Sequence, residues 1–318
     1  MARTLPAAAD VRQYHKSLSN WGRWGKEDQL GAMNLITPEK RLKAVSLVKK
    51  GVTVTMSRPI VAEPSADSPV PPTLHMIESG EGWNTTPGKK DQATHNASEY
   101  IGFVFHGYIM THVDALSHWF DGDKMYNGHP ADAVRTRGGA TMESIDLLKN
   151  GVVTRGVLFD FPTLKGVDYM QEREAIFPED LDAAEKKFNV KVEAGDLLLI
   201  RTGNWERRKA VGPRSPNAEG GGASGLHAAC LPWLRERDIA MLGGDLAQDV
   251  IPSGYSEFSL PVHQVILTAM GCWILDNCNF EDLARICKEE NCYEFLTVVT
   301  PLRMANGTGS PVNPIAIF

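Results

Sequence analysis

Three of the nine histidines, His106, His112 and His118, fall in one short apolar run, with Asp114 between the last two. Imidazole nitrogen and carboxylate oxygen are donor types that hold a divalent ion such as Zn²⁺ or Mn²⁺. If the run is a strand, its side chains alternate, so His112 and Asp114 leave one face together. On that register His106 and Tyr108 join them, and Ile109, Thr111 and Val113 take the other face. His118 comes after Ala115-Leu116-Ser117 and is expected on the turn or helix start beyond the strand, leaning back over the site as an acid or base. A lone histidine in an apolar run is usually a hydrogen-bonded core residue. Burying three ionisable groups together is costly unless a cation or a network compensates them, which favours a functional cluster over a structural His–Asp pair.

The segment Thr111-His112-Val113-Asp114-Ala115-Leu116-Ser117-His118 resembles the Thr-His-x-Asp-x-x-x-His core of the metal-dependent cyclase-like hydrolases, a family that includes bacterial kynurenine formamidase and isatin hydrolase. The resemblance extends over most of the chain. Asn20-Trp21-Gly22-Arg23-Trp24-Gly25, Leu35-Ile36-Thr37-Pro38 and Gly195 to Gly203 look like the longer bacterial members, as do Pro261-Val262-His263-Gln264 and Gly271 to Asn277. One departure is clear: the family's fuller motif has a histidine four residues before His112, where this chain has Tyr108. The resemblance matches Gln264 and Asp276 to the family's later His and Glu ligands, with His263 one residue earlier. It therefore implies one ion, held by His112, Asp114 and Gln264, with His118 free for proton transfer. On a helix, adjacent residues diverge by about 100°, so His263 and Gln264 are rivals for one position. Carboxylate, amide oxygen and water favour Mn²⁺, and imidazole suits Zn²⁺ equally.

A divalent ion so held lowers the pKa of bound water and polarises a substrate carbonyl. The implied reaction is hydrolysis of a small amide, lactam, imide or lactone. Trp21, Trp24 or Trp119 would favour aromatic substrates if they line the pocket, although each is as readily core packing. The nearest rival is a metal-assisted cyclase or dehydratase acting on a polyketide-like substrate. A non-catalytic metal-stabilised binding protein is more distant, because a structural site needs no uncoordinated imidazole such as His118.

Composition narrows the classes. The net charge of −6 comes with no basic block to track phosphates, which argues against nucleic acid, and Arg207-Arg208-Lys209 is short. No apolar run reaches membrane-spanning length, and Arg3, Asp10 and Arg12 surround the N-terminal alanines where a signal peptide would be apolar. The expectation is a cytoplasmic homo-oligomer, dimer or tetramer, whose partner is a small-molecule substrate. Cys230, Cys272, Cys278, Cys287 and Cys292 are irregularly spaced, which indicates reduced thiols.

These side chains must be carried by a scaffold, and strand and helix signals alternate along the chain. Thr37-Pro38 caps a helix over about 38–50 with Leu42, Val45, Leu47 and Val48 as its apolar stripe, stopped at Gly51. A β-branched strand follows at 52–56, then a Pro-, Ser- and Gly-rich passage from Pro59 to Lys90 containing His75 and Trp83, a length that suggests a lid, arm or partner contact. Helices are predicted at 142–148, 178–188, 226–237, 261–270 and 280–290, and strands at 152–161, 197–200, 239–242 and 295–299. The Gly-rich stretch 213–225 lacks the Lys-Ser/Thr of a phosphate loop and is expected to be a flexible linker. The whole reads as one α/β or α+β domain, 1–318, with an N-terminal arm (about 1–36) and a long loop (about 58–98). The family resemblance narrows the architecture to a mixed, barrel-like sheet flanked by helices.

Overall fold

The computed structural model describes residues 5–89 and 94–318. Arg3 and positions 90–93 of the long loop lie outside the described residues. The fold is mixed α/β, built on a curled nine-stranded half-barrel sheet flanked by helices. In spatial order its strands are Thr53–Thr55, Ile315–Ile317, Glu294–Val299, Val152–Asp160, Leu197–Arg201, Met241–Gly244, Trp273–Asp276, His112–Asp114 and Gly309–Pro311. The four strands from Val152–Asp160 to Trp273–Asp276 run parallel, and the remaining pairs are antiparallel.

The parallel centre explains the continuous apolar run Leu197-Leu198-Leu199-Ile200. A strand covered by helices has no solvent face, and all five residues of Leu197–Arg201 are buried. The core gathers around Leu158, Phe159, Leu242, Ile274 and Phe295. Near the sheet's edge the short strand His112–Asp114 lies between Trp273–Asp276 and Gly309–Pro311, with His112 opposite Asp276 and Asp114 opposite Ile274 and Gly309.

Several predicted elements are shorter than their signals. The helix capped by Thr37 runs only over Pro38–Val45, and it buries Ala44 while Leu42 and Val45 face solvent. The 142–148 helix is a 3-10 turn at Ile145–Leu148. The 226–237 helix is a 3-10 turn, Ala228–Cys230, followed by Leu231–Glu236. Pro261–Val265 passes into a π-helical turn, Ile266–Met270. The long loop contains an antiparallel ribbon, Thr73–Glu78 with Ser98–Gly102. Strands Gly309–Pro311 and Ile315–Ile317, beyond the last predicted one, complete the sheet. No helix among the described residues is long and apolar enough to cross a membrane.

Candidate metal and catalytic site

The strand carrying the motif begins at His112, not at His106. Alternation within His112–Asp114 sends Val113 into the core and turns both polar side chains to the other face, where they are almost fully buried. Asp276, the cross-strand partner of His112, belongs to the same cluster. His106 and Tyr108 lie on the loop before the strand, so the expected shared strand face does not exist for them. The loop brings His106 back regardless: its Nδ1 is 2.9 Å from Asp114 Oδ1, and its ring centroid is 5.2 Å from that of His112. The backbone of Gly309 comes so close that a Cβ there would sit 2.8 Å from His106 Cε1, which reserves this position for glycine.

Each imidazole is fixed by its outer nitrogen. His112 Nδ1 is 2.8 Å from the Met110 carbonyl, which leaves Nε2 at 3.2 Å from Asp114 Oδ1. His106 Nε2 is 3.1 Å from Thr308 Oγ1, which leaves Nδ1 facing the same carboxylate oxygen. Held ring orientations of this kind are characteristic of metal-binding histidines. Burial opposes ionisation of Asp114, yet the facing His118 and His112 overcome it and hold the carboxyl well below its usual range. Burial likewise opposes charge on His112, but Asp114 and Asp276 raise it above the ordinary imidazole value.

His118 ends the 3-10 turn Leu116–His118 directly after the strand. Its ring stacks on His106 at 3.7 Å between centroids and 2° between planes, and its Nε2 is 3.9 Å from Asp114 Oδ1. Burial pushes its pKa down, Asp114 pulls it back, and the neighbouring imidazoles His106, His263 and His112 lower it again, to about 4. A neutral ring at pH 7 is a proton acceptor.

On the far side of Asp114 stands His263, the rival of Gln264 on the same helix. His263 Nε2 is 3.0 Å from Asp276 Oδ2 and 3.9 Å from Asp114 Oδ2. Gln264, one step round the same helix, is only partly buried, and its backbone carbonyl receives the Thr268 hydroxyl. The 100° helical step that made the two residues rivals turns the His263 imidazole inward.

Sequence reasoning missed the residues that hold His263. Asp249 receives the backbone N–H groups of Val262 and His263, at 2.6 and 3.1 Å, and faces His263 Nδ1 at 2.8 Å. Gln248 Nε2 donates to the other oxygen of Asp276, at 2.7 Å. Burial opposes charge on His263, but Asp276 and Asp249 raise its pKa well above the usual value. The one available signal was the polar run Gln248-Asp249 soon after a buried apolar strand.

Among the described residues, two groups of side chains have the composition and spacing to hold a cation, and they share Asp114: His106 with His112, and His263 with Asp276. Their hydrogen bonding distinguishes them. His263 and Asp276 already satisfy each other, with Asp249 and Gln248 completing the network. His106 Nδ1 and Asp114 Oδ1 are buried, in contact but not aligned as donor and acceptor, and neither has a hydrogen-bond partner among the described residues. A ring nitrogen and a carboxylate oxygen that converge without an aligned hydrogen bond fit a cation.

Trp119 borders the cluster, its ring 5.9 Å from that of His263. Tyr108 reaches over it from the loop and donates to Asn217 Oδ1 at 3.3 Å, and burial raises its hydroxyl pKa, with Asp276 and Asp249 adding to the effect. Asn217 belongs to the Gly-rich stretch expected to be a linker, which instead packs back on the site's loop. Trp24 is placed otherwise: the Arg23 guanidinium lies 4.7 Å over its ring, and Arg23 pairs with Asp238. Trp21 donates its indole N–H to the Thr268 carbonyl at 2.7 Å.

Comparison with known proteins bears on the family and the fold. A family profile described as putative cyclase matches residues 41–248. The crystal structure of a novel cyclase is similar over 96% of this chain and 99% of that chain, with 34% identity and a TM-score of 0.86. Isatin hydrolase A from Labrenzia aggregata, bound to benzyl benzoate, has 19% identity and a TM-score of 0.59 over 86% of this chain and 94% of its own. A predicted metal-dependent hydrolase from Bacillus stearothermophilus has 17% identity and a TM-score of 0.52 over 84% and 98%. These last two share the fold. No curated protein matches the chain.

Proposed function

The chain belongs to the cyclase family, and from that premise we propose that it hydrolyses a C–N or C–O bond of a small amide, lactam, imide or lactone with one divalent ion held by His106, His112 and Asp114. The observation that carries this reading is the pair of buried atoms, His106 Nδ1 and Asp114 Oδ1, that converge beside His112 Nε2 without an aligned hydrogen bond. When bound, the ion supplies Lewis acidity and a water of lowered pKa. His118, neutral and stacked alongside, takes the proton of the attacking water and returns it to the leaving nitrogen or oxygen. His263, locked between Asp249 and Asp276, stands 3.9 Å from the second Asp114 oxygen and bounds that side of the site. Tyr108 and Trp119 offer aromatic walls, which supports an aromatic substrate. Two nitrogens and one oxygen suit Mn²⁺ or Zn²⁺, and Mn²⁺ is our choice.

Elemental analysis of the purified chain tests the ion, and about one per chain is the expected outcome. A stoichiometry near two, filling the His263–Asp276 group as well, contradicts the single-ion reading. Mass analysis of products from an amide, lactam and lactone panel tests the reaction. A product one water heavier than substrate supports hydrolysis, and one water lighter supports the dehydratase alternative.

A further inference from the structure

We infer that Asn277, assisted by Arg58, is the positioning residue that brings His106 to the metal site, an inference that rests on His106 being a ligand. His106 and His112 are six residues apart, which in an extended strand, at about 3.3 Å per residue, is about 20 Å. Their ring centroids are 5.2 Å apart. Residues 107–111 must therefore double back, and every backbone group buried in that bend needs a partner.

Asn277 meets this need from one side chain. Its Nδ2 donates to the carbonyls of Gly107, at 2.7 Å, and Met110, at 3.1 Å, which grips both ends of the bend. Its backbone carbonyl accepts the Thr111 hydroxyl at 2.7 Å. Arg58 holds the middle, with Nη1 donating to the Tyr108 carbonyl at 2.9 Å and its backbone N–H to Thr111 Oγ1 at 2.9 Å. The Met110 carbonyl so fixed is the one that orients His112. Asn277 is fully buried, directly follows Asp276 and has a left-handed backbone with φ of 55°, a conformation asparagine tolerates. The clamp thus ties the bend carrying His106 to the strand carrying Asp276.

The test is Mn²⁺ affinity of the full-length chain, measured by electron paramagnetic resonance titration, in a double-mutant cycle. Asn277→Gly suits the left-handed backbone and removes the amide, and it is expected to weaken Mn²⁺ binding by about 10–100-fold, the usual effect of losing a residue that orients a ligand. In a His106→Ala background the same change is expected to add nothing beyond about threefold, because the ligand it positions is gone. Unchanged affinity in the single variant, or a full independent loss in the double variant, overturns the clamp. His106→Ala with wild-type affinity, or a wild-type chain that binds no Mn²⁺, overturns the ligand reading itself. If Asn277→Gly does not fold by circular dichroism, Arg58→Gln, which releases the Tyr108 carbonyl, is carried through the same cycle with the same criteria.

Discussion

Asp114 is the residue on which the site converges. One of its oxygens faces His106, His112 and His118, and the other faces His263. Asp114→Ala is expected to lose both the ion and turnover, and a variant that keeps its metal by elemental analysis removes Asp114 from the ligand set. His118 is expected to behave differently, because it stacks beside a ligand and stands farther from the carboxylate than the other two imidazoles. His118→Ala should keep the ion and lose on the order of 10²–10⁴ in rate, the range of a positioned acid–base group. Metal content and turnover measured on the same preparation check this: loss of the ion makes His118 a ligand, and unchanged turnover leaves the chemistry without its base.

The sheet's centre and its edge divide the work between elements. Leu197–Arg201 carries none of the proposed ligands but anchors the sheet, and Leu199 packs so closely on the neighbouring strand that a Cβ on Gly243 would meet its Cδ2 at 2.5 Å. Leu199→Ala should cost about 2–5 kcal/mol, the range for large-to-small core truncation. The checking measurement is urea unfolding, with a lower midpoint at unchanged slope. Metal stoichiometry of the folded fraction should stay at the wild-type value, since the ligands sit on His112–Asp114, one strand in from the sheet's edge, and on the loop before it. A fall in stoichiometry would show that centre and edge are not separable.

At the scale of the whole molecule, the N-terminal segment is tied to the body around Glu143. Its backbone N–H donates to Gln29 Oε1 at 2.8 Å, and its side chain is fully buried with neither oxygen hydrogen-bonded among the described residues. Burial, with Asp28 nearby, pushes its pKa up to about 9 from the ordinary carboxyl value of 4.5. The folded chain therefore binds one more proton than the unfolded chain across that interval. Its contribution to stability is fully present below about 4.5 and is lost as pH rises toward 9. Glu143→Gln keeps the shape and removes the titration, so its Tm advantage over wild type should grow between pH 5 and pH 9. A pH-independent difference in thermal melts would remove Glu143 from this role.

What the sequence determined by itself was local. Alternation put His112 and Asp114 on one face, four apolar residues in a row marked Leu197–Ile200 as a buried strand, and Thr37-Pro38 marked a helix start, because each signal depends on side-chain direction within a few residues. The family resemblance added the architecture. Tertiary structure decided the rest. His106 joins the site only because Asn277 and Arg58 fold its loop back, and His263 faces Asp114 and Asp276 because packing set the rotation of a short helix. Thr308, Asp249 and Gln248 reach the cluster through strand pairing and loop packing over long sequence separations, and no local pattern encodes which distant backbone will lie alongside. The last strands, Gly309–Pro311 and Ile315–Ile317, are three residues each, too short for a period of two to declare itself before the ladder forms.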